Sequence, residues 1–233
     1  MSRPEPPPGP GRDAGEPHYG RYVGALGIAI LVFITINTIV TKPNGATGIP
    51  PGQAAAPFAV PLVQSTLNGA ADVATRPDEG AAGRVPACKL RRADILNICQ
   101  LYEHNPVVLA LFVDAGSCPG VLSDLQTLSR EFPAVRFAGV AIKGDRGGLR
   151  TLMRSRGLSI PIGIDSDGAL AVLYKTASCP QLSFIYPGGI IESGALLRRV
   201  SLPELRRRVR RLVADSRAHA SATEAAPATR TGG

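Results

Sequence analysis

No two of the four cysteines in this 233-residue chain stand three apart, so the C-x-x-C spacing is absent, and the three histidines lie scattered at positions 18, 104 and 219. Protein zinc sites take clustered cysteine and histidine ligands, and no such site is expected here. Nor is there an internal repeat, and no cofactor is called for. Lysine is scarce, with four residues, so the net charge of +8 rests on arginine. Aromatic residues make up 5% of the chain, and none interrupts the arginine-rich stretch from Arg198 to Arg217. A groove for single-stranded nucleic acid uses such rings for base stacking, so nucleic acid is not an expected partner. Asp165-Ser-Asp-Gly168 opens like a calcium-binding loop, but the twelfth position of that loop is Thr176 rather than glutamate. The segment is read as a turn.

What is present first is an apolar run of spanning length. Tyr22 to Val40 holds 19 residues without a charge, enough as a helix for the ~30 Å hydrocarbon core of a bilayer. The apolar part of a signal peptide is shorter, about 7–15 residues, and the cluster Ala54-Ala-Ala56 lies far past the run for a cleavage site. An uncleaved transmembrane helix over residues 21–41 is therefore expected. Arg3, Arg12 and Arg21 precede it and Lys42 follows. The bias places the N-terminus in the cytoplasm and the main domain outside, in a single-pass protein of the cell membrane. All four cysteines fall beyond the span, on the side where disulfides persist.

The remaining chain divides by composition. Residues 1–20 are rich in proline, glycine and charge and read as a disordered cytoplasmic tail. Residues 42–85, with Pro43, Pro50, Pro51, Pro57, Pro61 and Pro77, read as a tether. Its one apolar patch, Phe58 to Val63, suits an edge strand docked on the domain, since Pro61 bars it from a central one. Residues 86–214 form the globular part, and 215–233 a second disordered tail. Between Ser201 and Arg217 the apolar Leu202, Leu205, Val209 and Leu212 recur at helical spacing, and Ser201-Leu-Pro-Glu204 caps the start. The arginine face of this helix is either solvated or drawn to anionic lipid headgroups.

Within the domain, Pro106 to Val113 is an unbroken apolar run that reads as a strand buried on both faces. The short turn Asp114-Ala-Gly-Ser117 leads to Cys118-Pro119-Gly120, and then Val121, Leu122, Leu125, Leu128 and Phe132 mark a helix to about Phe132. A cysteine at a helix N-terminus sits where the dipole and free backbone N–H groups stabilise a thiolate. Asp94 to Tyr102 is a short helix or strand, Arg136 to Ile142 a buried strand, and Gly148 to Gly157 a helix. Ile160 to Asp165 is a strand, Ala169 to Tyr174 a helical turn or two. Gln181 to Tyr186 and Ile190 to Ser193 form a hairpin across Pro187-Gly-Gly189. Cys88 and Cys99, eleven apart, are expected to form a local structural disulfide contributing very roughly 2–3 kcal/mol by loop closure.

Taken from Leu101 to Leu212, the Cys118 turn, the Ile164-Asp-Ser-Asp-Gly-Ala-Leu-Ala-Val-Leu-Tyr174 segment and Cys179-Pro180-Gln-Leu-Ser-Phe-Ile-Tyr-Pro-Gly-Gly189 resemble, in order and spacing, the thioredoxin-like fold. The match is to membrane-anchored TlpA/ResA-type and redoxin proteins. The resemblance implies an α/β, three-layer domain on a central mixed sheet, and a cis peptide before Pro180 with Cys179 packed against Cys118. This chain departs from that pattern. No tryptophan precedes Cys118, and position 121, where a thiol–disulfide oxidoreductase of this family carries its second cysteine, is valine. A peroxidase of peroxiredoxin type would carry threonine or serine where Ala115 stands. The resemblance implies a Cys118–Cys179 pair within disulfide geometry: either a redox pair, with Cys118 the nucleophile and Cys179 the resolving thiol, or a structural bridge. The corresponding functions are an extracytoplasmic thiol–disulfide oxidoreductase with thiol-containing envelope proteins as partners, or a non-catalytic module stapled by two disulfides.

Overall fold

The structure is a computed structural model that describes residues 19–40, 47–67, 85–176 and 178–225. The tails over 1–18 and 226–233, and the tether over 41–46 and 68–84, lie outside the described residues. Two compact units are present, residues 1–44 and 45–233. The first holds helix α1, Tyr19–Val40, 22 residues long. Its described side chains run from Tyr22 to Phe33 and are exposed. Among the described residues no helix is long and apolar enough to cross a membrane.

The second unit is built on β3 (Val107–Phe112), β4 (Arg136–Ile142), β5 (Ile162–Asp165) and β6 (Gln181–Ile185), in the order β5-β4-β3-β6. The strands β3, β4 and β5 run parallel, and β6 is antiparallel to β3. All six residues of β3 are buried, because helices cover both faces of a mostly parallel sheet. Alternate side chains of β3 feed two cores. Val108, Ala110 and Phe112 join Leu122, Leu125, Leu149, Leu205 and Val209. These come from helices α3 (Val121–Glu131), α4 (Arg146–Ser155) and α6 (Leu202–Ala225). Val107, Leu109 and Leu111 join Phe58, Ile98, Leu170 and Tyr174 on the opposite face. That face carries α2 (Ile98–Tyr102) and α5 (Ala169–Leu173). Three layers and a mixed sheet result, as the sequence reading expected.

Four local readings are refined. Asp94 to Tyr102 contains both options: strand β2 (Ile95–Asn97) runs straight into α2, capped by Asn97, whose Oδ1 accepts from the Cys99 N–H at 2.9 Å. Helix α4 starts two residues before Gly148 because Asp145 caps it, accepting from the Gly148 N–H at 2.7 Å. Helix α3 follows a 3₁₀ turn, Cys118–Gly120. Helix α6 runs to Ala225, past the expected end near Asp215. Its last stretch is alanine-rich, and low hydrophobicity there signals helix propensity as readily as disorder.

The largest correction concerns the tether. Residues 47–67 are part of the domain. Strand β1 (Ala59–Pro61) pairs antiparallel with β2, and Phe58, Val60 and Val63 are fully buried. The Val63 N–H donates to the Ile162 carbonyl at 2.8 Å, and Leu62 bridges Gly163. A side chain at Gly163 would collide with Val60. Tyr174 donates its hydroxyl to the Ala56 carbonyl at 2.9 Å, and Arg146 donates to the carbonyls of Leu62, Ser65 and Leu67. Proline holds this segment extended, which suits a linker and suits equally a strand laid along a sheet edge. The apolar Phe58 and Val60 decide for the second.

Candidate functional site: the Cys118–Cys179 pair

The site forms where β3 ends. The turn after Phe112 reverses at Gly116 (φ 56°), and the Cys118 N–H donates to the Ala115 carbonyl at 3.3 Å. Cys118 therefore opens the 3₁₀ turn that feeds α3, packed into the core beside Val121 and 7% exposed. The register of β6 against β3 sets Leu111 opposite Gln181. Extending both chains by two residues brings Val113 opposite Cys179. The Val113 N–H donates to Cys179 Sγ, with N···Sγ 3.1 Å. The Cys179–Pro180 peptide is cis and Pro180 is buried, while Cys179 is exposed. Buried Gln181 holds the approach to β6 by donating from Nε2 to the Tyr174 carbonyl at 2.9 Å.

The structure brings Cys118 and Cys179 together as a disulfide, with Cα atoms 5.5 Å apart across 61 residues of sequence. It joins Cys88 and Cys99 in a second disulfide, Cα–Cα 5.2 Å. That bond ties the short 3₁₀ turn Ala87–Lys89 to α2, where Asn97 also donates from Nδ2 to the carbonyls of Ala87 (2.7 Å) and Leu90 (2.8 Å). The two bonds thus occupy different settings: one fastens a chain entry, the other closes the junction of a strand end and a helix start.

Two arginines reach the Cys118 turn that the sequence reading had not connected with it. Arg156 donates from Nη1 to the Pro119 carbonyl at 2.9 Å. The Arg199 guanidinium lies against Gly120 and pairs with Asp124 at 3.3 Å. No local signal marks either, because they arrive from 37 residues and more away in sequence. On the other flank a cavity of about 280 Å³ is lined by Phe112, Val113, Ile142, Ala171, Thr176 and Cys179. It is mostly apolar and touches the exposed cysteine of the pair, while Cys118 is not among its lining residues. A larger cavity of about 680 Å³, lined by Arg92, Asn97, Arg136 and Ile160, contains neither disulfide.

Asp165, read from sequence as part of a turn, is fully buried and accepts from the N–H groups of Gly168 (3.0 Å) and Leu170 (2.9 Å). Burial, helped by a hydrogen bond to Asp167, pushes its carboxyl up to about 6, against the pull of those two N–H donors. Its role is to start α5. Among the described residues no group of three or more His, Cys, Asp or Glu side chains could hold a metal ion.

No protein-family model matches the sequence, and no curated protein matches it. Solved structures do. MTB dsbF, determined in mixed oxidized and reduced forms, is 18% identical with a TM-score of 0.50, covering 70% of this chain and 99% of that one. A thiol:disulfide interchange protein of the thioredoxin family from Chlorobium tepidum TLS is 13% identical with a TM-score of 0.52, covering 70% and 97%. At such identities the likeness shows the fold: this is an α/β domain of the thioredoxin-like class on a mixed sheet.

Proposed function

We propose that the protein is a membrane-anchored, extracytoplasmic thiol–disulfide oxidoreductase whose working pair is Cys118 and Cys179, of TlpA/ResA type with an altered active site. One observation carries this reading. The 118–179 bond lies where β3 ends, with one cysteine exposed beside an apolar cavity and the other at the head of a helix flanked by Arg156 and Arg199. A bond meant only to staple the domain has no need of an exposed cysteine, an N–H donor aimed at its sulfur, or cations at its other end. Valine at position 121 leaves Cys179 as the partner that a C-x-x-C motif would otherwise supply. The anchor would be the apolar run Tyr22–Val40, whose 19 uncharged residues in the sequence and preceding arginines suit a single span with the domain outside. The partners would be thiol-bearing proteins of the envelope.

The test is equilibration of the purified protein in glutathione redox buffers, with each bond read by peptide mass. The 118–179 bond is expected to open between about −120 and −270 mV, the range of catalytic pairs, while 88–99 stays closed to below about −300 mV. Equal resistance of both bonds would make the domain a non-catalytic binding module.

A further inference from the structure

We infer that Cys179, and not Cys118, is the sulfur that carries the substrate in the mixed disulfide, reversing the roles that position along the chain suggests. The inference rests on the redox reading of this pair. Thiol–disulfide exchange is an in-line displacement, and which sulfur is attacked depends on access and on how well the other sulfur leaves as a thiolate. Access favours Cys179. That residue is exposed and lines the apolar cavity, whereas Cys118 is 7% exposed within the core. A thiolate coming in behind Cys118 Sγ would have to displace packed side chains of the helix layer.

Leaving ability points the same way. When Cys179 is attacked, the electron pair departs on Cys118 Sγ, at the head of the 3₁₀ turn and α3, with the Arg156 and Arg199 guanidinium groups on the adjoining backbone. Helix N-termini and nearby cations both stabilise that charge. The Val113 N–H, 3.1 Å from Cys179 Sγ, then serves the second step, when Cys179 is itself released as a thiolate.

The exchange with a protein or peptide dithiol balances as follows. One substrate thiolate attacks Cys179 Sγ, the substrate–Cys179 bond forms, and the 118–179 bond breaks with Cys118 leaving as thiolate. The second substrate thiol loses its proton to solvent and attacks the substrate sulfur of the mixed disulfide. The substrate disulfide forms and Cys179 leaves. The substrate is oxidised by two electrons and the protein pair is reduced by two. In reverse, Cys179 attacks a substrate disulfide and Cys118 resolves it by attacking Cys179 Sγ. The mixed disulfide sits on Cys179 in both directions.

The probe is reduced glutathione added to the oxidised full-length protein in detergent, with quenching by acid and alkylation and peptide mapping of the adduct. Glutathione is expected on Cys179 in roughly tenfold excess over Cys118, as attack governed by access requires. Adduct mainly on Cys118, or divided evenly, overturns the assignment while leaving the pair redox-active. A 118–179 bond that never opens removes the redox reading and the assignment together. As a second measurement, the Cys118→Ser and Cys179→Ser proteins are exposed to glutathione disulfide. Cys118→Ser, retaining the thiol at 179, should acquire glutathione roughly tenfold faster than Cys179→Ser, and equal or inverted rates count against the proposal. If Cys118→Ser fails to fold, because the site is buried, the wild-type adduct map decides alone.

Discussion

The backbone N–H of Val113 points at the Sγ of Cys179, 3.1 Å away, because β3 and β6 are antiparallel neighbours whose register meets at these two residues. Val113 lies just past the end of the ladder, and its N–H is directed to a sulfur rather than to a strand carbonyl. A hydrogen bond to a thiolate is stronger than one to a disulfide sulfur. In a redox-active pair the contact would therefore stabilise Cys179 once it is released as a thiolate, and with it the reduced pair over the oxidised one.

Replacing Val113 with proline removes that donor and keeps an extended backbone. A charge-assisted hydrogen bond contributes about 1.5 kcal/mol, equivalent to about 30 mV for a two-electron couple. The 118–179 couple of Val113→Pro should thus lie about 30 mV more negative than wild type in a glutathione titration. The 88–99 couple should not move. A shift of the same size in both, or none in either, would show that the contact does not act on the pair.

The docked segment 47–67 predicts where the protein can be cut. Removing residues 1–41 should leave a folded domain that does not sediment with membranes, whereas the whole chain should sediment with them. Removing residues 1–67 should abolish folding, since it strips the buried Phe58, Val60 and Val63 and the partner strand of β2. Phe58→Ala alone should cost about 3–5 kcal/mol, read as a lower denaturation midpoint. A cooperative transition in the protein lacking 1–67 would contradict this packing.

Asp165 gives a pH dependence of definite sign. Its folded value of about 6 lies above the ordinary 3.8, so between these values the folded state holds a proton the unfolded state lacks. The stability this adds is fully present below about 3.8 and is lost as pH rises through 6. Lowering the pH from 7 to 5 should therefore stabilise wild type relative to Asp165→Asn by about 1.3 kcal/mol. Denaturant melts of both proteins at each pH check this. Exposed carboxylates such as Glu131, held below the usual range by hydrogen bonding to Arg206, are common to both and cancel.

Much of the domain was legible in the chain itself. Pro106 to Val113 reads as a strand covered on both sides and Leu122, Leu125 and Leu128 as one face of a helix, while Cys179 as the partner of Cys118 came from the resemblance to the thioredoxin-like fold. The strand and the helix are local signals, because side-chain periodicity reflects the face on which each residue is buried. What tertiary structure alone decided was which local pieces touch. Residues 42–85 read as a tether with only Phe58 to Val63 suited to an edge strand, until β2 and Gly163 offered Val60 a place. Arg156 and Arg199 reached the Cys118 turn from distant helices and loops. The exposure of Cys179 against the burial of Cys118 followed from the β3–β6 register and the covering helix layer. Such contacts join residues tens of positions apart, and no periodicity in a single chain records them.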